Sequence, residues 1–408
     1  MRKIAIIGGG IVGMATALFL KDHFDVTLFE KQKISKPQGA GIMLQPSGLF
    51  VLKALGLHEE IIDRGVIIDG FFGENSDGKI DFDISFKDHD KEIYGLGVHR
   101  GSVFYELLNA IENSNVSFEK GIEINNFFEK NNKTTLKSEY KSFDSFDIVI
   151  VANGARSLIR EKFPNFHFAH ESNQGAIWTK VNSMGIELPH KIHQVYNKTE
   201  TMLGLMPIGY EISKKEEPKL NLFFGTSLKY INNWDQIPLA QWKNDVLAVS
   251  KDYGPYLDQI TDKSQLVCAP YHDVWANKYY HNNFVFIGDA AHAMGPHLSS
   301  GTNLGLLDSY FLTLALIDHK ADNKDYEEVF DKFEKSRKGQ LRYYQTISRV
   351  ITPYFQCEID RSFVRRYFLK LLYKLPIIKG IMVETITGRR FSLLKRLPTK
   401  FYLQKKKK

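Results

Sequence analysis

Three kinds of hydrophobic pattern occur along the chain, and together they predict a mixed α/β protein. Lys3 to Ile7 is an almost continuous apolar run, as expected of a strand buried on both faces, and Phe143 to Gly154 is another. Ile11 to Leu20 follows the first run at helical spacing. GAIWTKV, TMLGLMPIG and LNLFFGTSL, within residues 171–267, alternate well enough for a sheet with one covered face. After residue 330 the pattern is helical.

The first strand and the first helix are joined by a glycine-rich turn. Gly8, Gly10 and Gly13 have the spacing G-x-G-x-x-G, and Glu30 ends the next predicted strand 22 positions after Gly8. In this context Gly8 permits the tight turn, Gly10 lets the helix start meet a pyrophosphate, and Gly13 allows close packing. Glu30 is placed to accept hydrogen bonds from a ribose. The turn therefore predicts a dinucleotide site, for NAD or for FAD.

A second glycine-rich stretch, FIGDAAHAMGPHLSSGTNLG, lies late in the chain. An apolar strand runs into Asp289 after one glycine, and small residues lead to the helical pattern LGLLDSYFLTLAL. Such a strand exit typically holds phosphate or lets backbone approach a flat ligand. FAD is longer than NAD and needs later segments of this kind, so the stretch favours FAD.

Charge is divided unevenly along the 408 residues. The net charge is +7, yet residues 361–408 contain 15 Lys and Arg against the single acid Glu384. Within this tail, FVRRYFLKLLYKLPIIKGIM interleaves apolar residues with cations, and KKKK ends the chain. The pattern indicates either peripheral contact with anionic lipid or a C-terminal helix docked on the body with a solvated end. No nucleic-acid recognition fold accompanies the charge, so no nucleic-acid partner is expected.

The remaining composition points to a cytoplasmic protein, with the inner face of the membrane as its one expected membrane contact. Cys268 and Cys357 are far apart and outside any C-x-x-C, which indicates neither a disulfide framework nor a thiolate zinc site. No apolar run reaches the roughly 18 residues of a spanning helix. His292 and His297 lack helical spacing and a third ligand, so no metal site is expected.

These motifs, in this order, resemble those of the class A flavoprotein monooxygenases, the aromatic-hydroxylase family that includes p-hydroxybenzoate hydroxylase and the tetracycline-inactivating monooxygenases. GGGIVG with Glu30, the stretch Gly39 to Leu57, GVHRGSVFYELL with Arg100, VANGARSLIR and GDAAHAMGPHLSSGTNLG carry the resemblance over about residues 1–310. It implies FAD as cofactor, NADPH or NADH as co-substrate, and transfer of one oxygen atom from O2 to a small aromatic, polycyclic or lipophilic compound through a flavin C4a-hydroperoxide.

The resemblance also implies which residues form the site. Those expected to bind the cofactor are Gly8, Gly10, Val12, Gly13, Glu30, Lys31, Gly41, Arg100, Gly154, Asp289, Pro296, Gly301, Thr302 and Asn303. Asp289 would accept hydrogen bonds from the ribityl chain, and the helix after Gly301 would direct its N–H groups at the flavin. Trp178, Phe223 and Pro296 are expected at the substrate, although Trp178 and Phe223 are equally well explained as core residues. No catalytic residue is assigned.

Two positions depart from the family pattern. Asn153 stands where aspartate is usual, and Ser299 and Ser300 replace the first glycine and the glutamine of a Gly-Gln-Gly. Because the first position is thought to serve both FAD and the nicotinamide nucleotide, two alternatives stay open. One is a flavin-dependent reductase or non-redox flavoenzyme of the same fold, and the other is a non-catalytic, membrane-associated flavoprotein. A monomer or a homodimer is expected.

The motif positions predict a Rossmann-like FAD-binding domain, a β-sheet substrate domain and C-terminal helices. The FAD-binding domain is discontinuous and comprises residues 1–70, 96–170 and 268–330. The substrate domain comprises residues 71–95 and 171–267, and the C-terminal helical region with its basic tail comprises residues 331–408.

Overall fold

The computed structural model describes residues 1–33, 41–163, 167–185, 190–211, 216–320, 326–398 and Phe401. Gly39 and Ala40 of the predicted flavin-proximal stretch and the four final lysines lie outside the described residues. Within the described part of the chain, no helix combines the length and the apolar character that crossing a membrane requires.

The strands belong to four sheets. In chain order they are β1 (Lys3–Ile7), β2 (Asp25–Glu30), β3 (Gly41–Leu44), β4 (Val66–Ile68), β5 (Gly70–Asn75), β6 (Ile80–Ser85), β7 (Gly95–His99), β8 (Ser117–Lys120), β9 (Asn126–Lys130), β10 (Lys133–Lys137), β11 (Ser142–Phe146), β12 (Ile148–Val151), β13 (His167–Asn182), β14 (Lys191–Asn197), β15 (Thr201–Gly209), β16 (Lys219–Ser227), β17 (Val267–Ala276), β18 (Tyr280–His281) and β19 (Phe284–Phe286).

The helices lie between the strands and at the C-terminal end of the described chain. They are α1 (Ile11–Leu20), α2 (Pro46–Ala54), α3 (His58–Arg64), α4 (Arg100–Glu112), α5 (Leu158–Glu161), α6 (Leu228–Asn232), α7 (Leu239–Val249), α8 (Gly254–Asp258), α9 (Asp289–His292), α10 (Gly301–Lys320), α11 (Tyr326–Phe355), α12 (Ser362–Lys374) and α13 (Pro376–Ile386).

A six-stranded sheet has the order β18-β19-β12-β1-β2-β8 and is parallel except for the edge strand β18. Its central strands β1 and β12 are almost wholly buried, which explains their continuous apolar sequence. Since the chain moves from β1 to β2 on one side and β12 lies on the other, the strand order reverses next to β1. In sheets of this type ligands bind at the carboxyl ends of the strands at such a point.

A seven-stranded sheet has the order β17-β13-β16-β15-β14-β5-β6 and is antiparallel except for the pair β14–β5. The three alternating stretches of the sequence form β13, β15 and β16 in this sheet. Two smaller antiparallel sheets, β11-β10-β9 and β3-β7-β4, complete the fold. The division of the chain into domains stays a prediction.

The apolar run 143–154 is two strands instead of the single strand that the sequence predicts. β11 pairs with β10, whereas β12 enters the six-stranded sheet beside β1. The break is at Asp147, whose carboxylate accepts a hydrogen bond from the Lys3 backbone N–H at 2.8 Å and whose own N–H donates to the Lys3 carbonyl at 2.9 Å. The buried start of β12, which the Asp147 carboxylate anchors, therefore separates β11 from β12.

The helical pattern predicted after residue 330 extends to Ile386. Gly388 then adopts a left-handed backbone, with φ at 72°, as is usual just beyond a helix end. Residues 388–398 are turns with one bridge between Arg390 and Arg396.

Candidate active site

A cavity of about 270 Å³ lies along the carboxyl ends of β1, β2, β12 and β19 and is called here the glycine-lined cavity. It brings together residues that are far apart in the sequence, because all four strands end at the same edge of the sheet. Of the predicted cofactor residues it is lined by Gly8, Gly10, Val12, Glu30, Lys31, Arg100, Gly154, Asp289, Gly301 and Thr302.

The turn after β1 depends on the absence of side chains. Gly8 has φ at 114°, and a Cβ there would come within 2.5 Å of the Ala152 carbonyl oxygen. A Cβ on Gly13 would come within 1.9 Å of the Gly8 carbonyl oxygen, so α1 packs directly on the turn. A Cβ on Gly10 would meet nothing within 4 Å. Gly10 therefore leaves the first turn of α1 open to a ligand, whereas Gly8 and Gly13 hold the turn itself.

Glu30 is fixed at the end of β2 by backbone donors. Its Oε2 accepts the Gly9 N–H at 2.8 Å, and its Oε1 accepts the Gln32 N–H at 3.0 Å. A carboxylate has about four lone-pair positions, so acceptor capacity remains on the side that faces the cavity. This is the arrangement expected for binding ribose hydroxyls.

The late glycine-rich stretch is held from behind by a buried carboxylate. The Gly288 N–H donates to Asp308 Oδ2 at 2.9 Å, and His292 Nε2 lies 2.5 Å from the same oxygen. Arg337 Nε donates to the other oxygen at 2.8 Å. Gly288 can take the left-handed φ of 58° that turns the chain after β19. These contacts position Asp289 at the cavity without using its own carboxylate.

The start of α10 is fixed in a similar way. Asn303 is buried, and its Oδ1 accepts the Gln45 N–H at 2.8 Å while its Nδ2 donates to the Met43 and Ser299 carbonyls at 3.0 and 2.9 Å. Ser299, at the departure from Gly-Gln-Gly, adopts a left-handed backbone with φ at 51°. The side chain of Asn303 is thus committed to holding the loop that leads to Gly301.

A second cavity of about 410 Å³, called here the aromatic-lined cavity, lies between the seven-stranded sheet and the loop before α10. Trp178, Phe223, Pro296 and Gly41 line it, as do Arg100 and Asp289. Because Arg100 and Asp289 line both cavities, the two spaces meet at these residues. The Phe223 ring covers Gly204 on the neighbouring strand, since a Cβ added at Gly204 would come within 2.2 Å of that ring.

Three residues that line the aromatic-lined cavity each carry a buried polar atom with no hydrogen-bond partner among the described residues. The atoms are Asn221 Oδ1, Trp178 Nε1 and His297 Nε2. Buried polar atoms are normally paired, so a cavity lined by an unpaired acceptor and an unpaired donor is suited to a ligand that offers both. Burial lowers the pKa of His297 to about 4, so this ring is neutral at neutral pH.

His272 and Arg156 meet where the two cavities approach each other. Arg156 Nε donates to His272 Nε2 at 2.9 Å, so this nitrogen carries a lone pair and the imidazole is neutral. Burial first and the Arg156 charge second lower the pKa of His272. Ser157, which follows Arg156, caps α5 by accepting the Arg160 N–H at 3.1 Å. Both residues belong to the VANGARSLIR stretch that resembles the family. Arg156 lines the glycine-lined cavity, whereas Ser157 stabilises the start of α5.

The structure separates some predicted residues from the cavities and adds others. Gly13 and Asn303 line neither cavity and support the loops behind them. The segment Ile122–Ile124 also lines the glycine-lined cavity, although no sequence pattern predicts it. Gly121, with φ at 74° directly after β8, is the signal that indicates a turn there. The residues of the aromatic-lined cavity that were not predicted include Phe71, Gln194, Asn221, Tyr271, His272 and His297.

The sequence matches the family described as FAD binding domain over residues 1–340. The chain belongs to this family. The 6-hydroxynicotinate 3-monooxygenase of Pseudomonas fluorescens is 23% identical over 377 residues, which cover 85% of this chain and 90% of that relative. The salicylate hydroxylase of Pseudomonas putida is 26% identical over 391 residues, 84% of each protein. Family membership confirms the predicted cofactor, FAD, and the predicted enzyme class, FAD-dependent monooxygenases that use NAD(P)H.

A solved structure confirms the predicted fold class. The tetrameric form of 2-methyl-3-hydroxypyridine-5-carboxylic acid oxygenase matches 96% of this chain and 99% of its own, with a TM-score of 0.76 at 18% identity. The parallel sheet, the antiparallel sheets and the C-terminal helices are therefore those of an FAD-dependent monooxygenase fold.

The donor set of the glycine-lined cavity fits FAD. Backbone N–H groups at the start of α1 suit a pyrophosphate, and the free acceptor capacity of Glu30 suits a ribose. Asn153 lines the cavity, and its Oδ1 is buried without a partner among the described residues, as is expected where a ligand would supply one.

Proposed function

We propose that the two cavities form one active site, with FAD in the glycine-lined cavity and a small aromatic substrate in the aromatic-lined cavity. The observation that carries this proposal is that Arg100 and Asp289 line both. FAD, when bound, supplies the redox chemistry by taking electrons from NAD(P)H and passing them to O2. One oxygen atom of O2 is added to the substrate, and the other is reduced to water with the two electrons and a proton that NAD(P)H and the solvent supply.

The residues of the glycine-lined cavity would hold the cofactor in a fixed order. Glu30 would bind the ribose, the first turn of α1 would bind the pyrophosphate, and Asp289 would bind the ribityl hydroxyls. Gly301 and Thr302 begin α10, whose N-terminal N–H groups and dipole favour negative charge on a neighbouring ring. These assignments remain proposals for each residue.

We infer that the substrate carries a hydroxyl or amino group on its ring. Asn221 Oδ1 can accept from a donor on the ligand and Trp178 Nε1 can donate to an acceptor, and a phenolic hydroxyl is both. Phe71, Phe223 and Pro296 give the same cavity apolar walls, which exclude water from the reacting atoms. An electron-rich ring of this kind is also the class of substrate that accepts an oxygen atom most readily.

The proposal is tested with the purified protein and its own bound flavin. Without oxygen, addition of NADPH or NADH should bleach the visible flavin bands, and phenols or anilines that bind should speed the bleaching. With oxygen, a true substrate should gain 16 mass units and should consume O2 in proportion to NAD(P)H without release of hydrogen peroxide.

Each contrary result identifies a different alternative. A colourless protein contradicts the placement of FAD. Bleaching with peroxide as the sole product, for every compound, indicates a flavin-dependent reductase. A flavin that neither nucleotide reduces favours the non-redox or non-catalytic flavoprotein. It would also indicate that Asn153, in place of the usual aspartate, prevents reduction by the nucleotide. Location in the cytoplasm and the choice between monomer and homodimer stay predictions.

A further inference from the structure

Helix α12 is oriented opposite to the usual amphipathic helix, because it buries charge and exposes apolar side chains. On its inner side Arg365 is 1% exposed and pairs with the fully buried Asp81, with Nε to Oδ2 at 2.8 Å. The same guanidinium donates to the Lys198 and Tyr354 carbonyls at 2.9 and 3.0 Å and lies 4.1 Å from the Tyr196 ring centroid. A surface helix normally turns its apolar stripe toward the core.

The outer side of α12 forms a continuous apolar face. Phe363 is 70% exposed and Leu371 is 59% exposed. Counted at 100° per residue, the exposed apolar positions cover an arc of about 140°. We call this surface the α12 face; its members are Phe363, Val364, Tyr367, Phe368, Leu371 and Leu375. Eight of the 22 large hydrophobic residues exposed in the described chain fall between Ile359 and Ile377, so the exposure is concentrated here.

Cations lie along one edge of the α12 face. Lys370 and Lys374 are exposed, and neither forms an ion pair among the described residues. Arg366, at the same edge, pairs with Asp81 Oδ1 at 2.8 Å. The sequence from residue 361 onward adds many more cations and the one acid Glu384, which is buried and bound by Arg390 and Arg396. The exposed acids Glu358 and Asp360 precede the N-terminal end of α12, whereas Lys370 and Lys374 lie in its C-terminal half.

We propose that the α12 face binds the surface of an anionic lipid bilayer, with its aromatic and aliphatic side chains among the acyl chains and Lys370 and Lys374 at the headgroups. Helices with apolar residues on one face and cations beside them lie in the membrane interface in this way. Charge decides between this occupant and a second copy of the chain. A second copy would bring a segment with the same excess of cations, 15 Lys and Arg against one acid in residues 361–408, whereas anionic headgroups neutralise that excess.

The position of α12 connects this surface with the active site. Its inner residues Leu369 and Tyr373 pack on the same hydrophobic cluster as Phe71, Met202 and Met206, three walls of the aromatic-lined cavity. Membrane binding would therefore hold the enzyme by the part of the sheet that forms the cavity, which suits an apolar substrate that partitions into lipid.

The test is co-sedimentation of the flavin-containing protein with vesicles of phosphatidylcholine, with and without phosphatidylglycerol. The wild type should bind the anionic vesicles and bind the neutral ones at least about tenfold more weakly. The triple variant F363S/F368S/L371S should lose more than about a hundredfold in affinity, since three apolar side chains no longer leave water. Lys370→Gln and Lys374→Gln should each weaken binding by about fivefold.

The matched control is Phe128→Ser, which removes an equally exposed phenylalanine from β9, far in sequence from the basic segment. This variant should bind like the wild type. Unchanged melting temperature and flavin content show that the triple variant is folded, since all three positions are exposed. Absence of vesicle binding by the wild type, or full binding by the folded triple variant, would overturn the proposal. The proposal would also be overturned if sedimentation showed a dimer for the wild type and a monomer for the triple variant, because the α12 face would then contact a second copy.

Discussion

The two cavities of this monooxygenase are lined by different kinds of residue. The glycine-lined cavity lies at the ends of parallel strands, where five of its lining residues are glycines and Glu30 is held by two backbone N–H groups. The aromatic-lined cavity consists of side chains such as Trp178 and Asn221, which project from a mainly antiparallel sheet.

The ligands proposed for the two cavities account for the difference. Phosphates and riboses are recognised by N–H groups and a carboxylate, which the end of a strand and the start of a helix supply in any protein of this fold. A particular aromatic compound must be recognised by side chains chosen for it. Substitutions at the buried supports of the first cavity should therefore disturb folding and cofactor binding together, whereas substitutions in the second should change substrate use with small effects on stability.

The largest effect is expected from Gly13→Ala. The new Cβ would come within 1.9 Å of the Gly8 carbonyl oxygen, so α1 and the turn must separate. We expect a loss of about 3 kcal/mol or more in the free energy of unfolding, at or above the upper end for overpacked sites, together with loss of bound flavin. Urea unfolding and the ratio of flavin to protein absorbance measure both.

Gly10→Ala is the matched control, since its Cβ would meet nothing within 4 Å. It should alter the free energy of unfolding by no more than about 0.5 kcal/mol, as surface substitutions do. It should still weaken flavin binding by about tenfold or more, since close approach of phosphate to α1 is lost. Equal stability losses in the two variants would contradict the distinct roles of the two glycines.

A smaller loss is expected from Glu30→Gln, again in both folding and cofactor. An amide has one acceptor oxygen, so either the Gly9 or the Gln32 N–H loses its partner, at about 1–3 kcal/mol. Flavin affinity, measured by titration of the apoprotein, should fall about tenfold or more because a charged acceptor for the ribose is removed. Glu123→Gln, which alters a half-exposed carboxylate lining the same cavity, should leave both values nearly unchanged.

The difference between the residues that line the two cavities also explains which of them the sequence could predict. The turn at Gly8, the acid at Glu30 and the strand that leads to Asp289 are local patterns, and ten of the predicted cofactor residues line the glycine-lined cavity. Asn303 and Gly13 carry the same local signature, yet their side-chain positions face the supporting layers. Sequence spacing places a residue near the start of a helix but does not determine which way its side chain points.

Residues of the aromatic-lined cavity were mostly outside the reach of sequence patterns. Asn221 and His297 come from a strand and a loop that meet only through the pairing of the seven-stranded sheet with the rest of the fold. Nothing in a strand sequence such as LNLFFGTSL separates a buried, unpaired asparagine from one that faces solvent. Trp178 and Phe223 were predicted through the family resemblance instead of through any periodicity.

In the aromatic-lined cavity, Asn221→Leu should separate stability from function. The Asn221 Oδ1 has no partner among the described residues, so its removal should leave the free energy of unfolding unchanged or raise it by about 1 kcal/mol. The KM for the substrate found by oxygen uptake should rise about tenfold or more, because the bound hydroxyl or amino donor loses its acceptor. Flavin content should stay at the wild-type value.

Gln174→Met is the control for Asn221→Leu. Gln174 Oε1 is likewise buried without a partner in the described part of the chain, but Gln174 lines neither cavity. The substitution should have the same small effect on stability and none on KM. If Gln174→Met raised KM as much as Asn221→Leu, the effect of Asn221 would be structural and its contact with substrate would be refuted.

The smallest effect is a pH dependence that only the aromatic-lined cavity should show. Burial lowers the pKa of His297 to about 4, against roughly 6.5 in an unfolded chain. Between these values the unfolded chain binds the proton and the folded chain does not, so this contribution to stability is present above pH 6.5 and is lost as the pH falls through 4. The slope is at most about 1.4 kcal/mol per pH unit.

Burial also lowers the pKa of His99 and of His167 to about 4, and both residues remain in His297→Gln. Urea unfolding at pH 7 and at pH 5 should therefore show a smaller loss for His297→Gln than for the wild type, with flavin content equal at pH 7. An unchanged loss would mean that His297 is protonated as freely in the folded protein as in the unfolded chain, and the neutral ring in the substrate cavity would have to be abandoned.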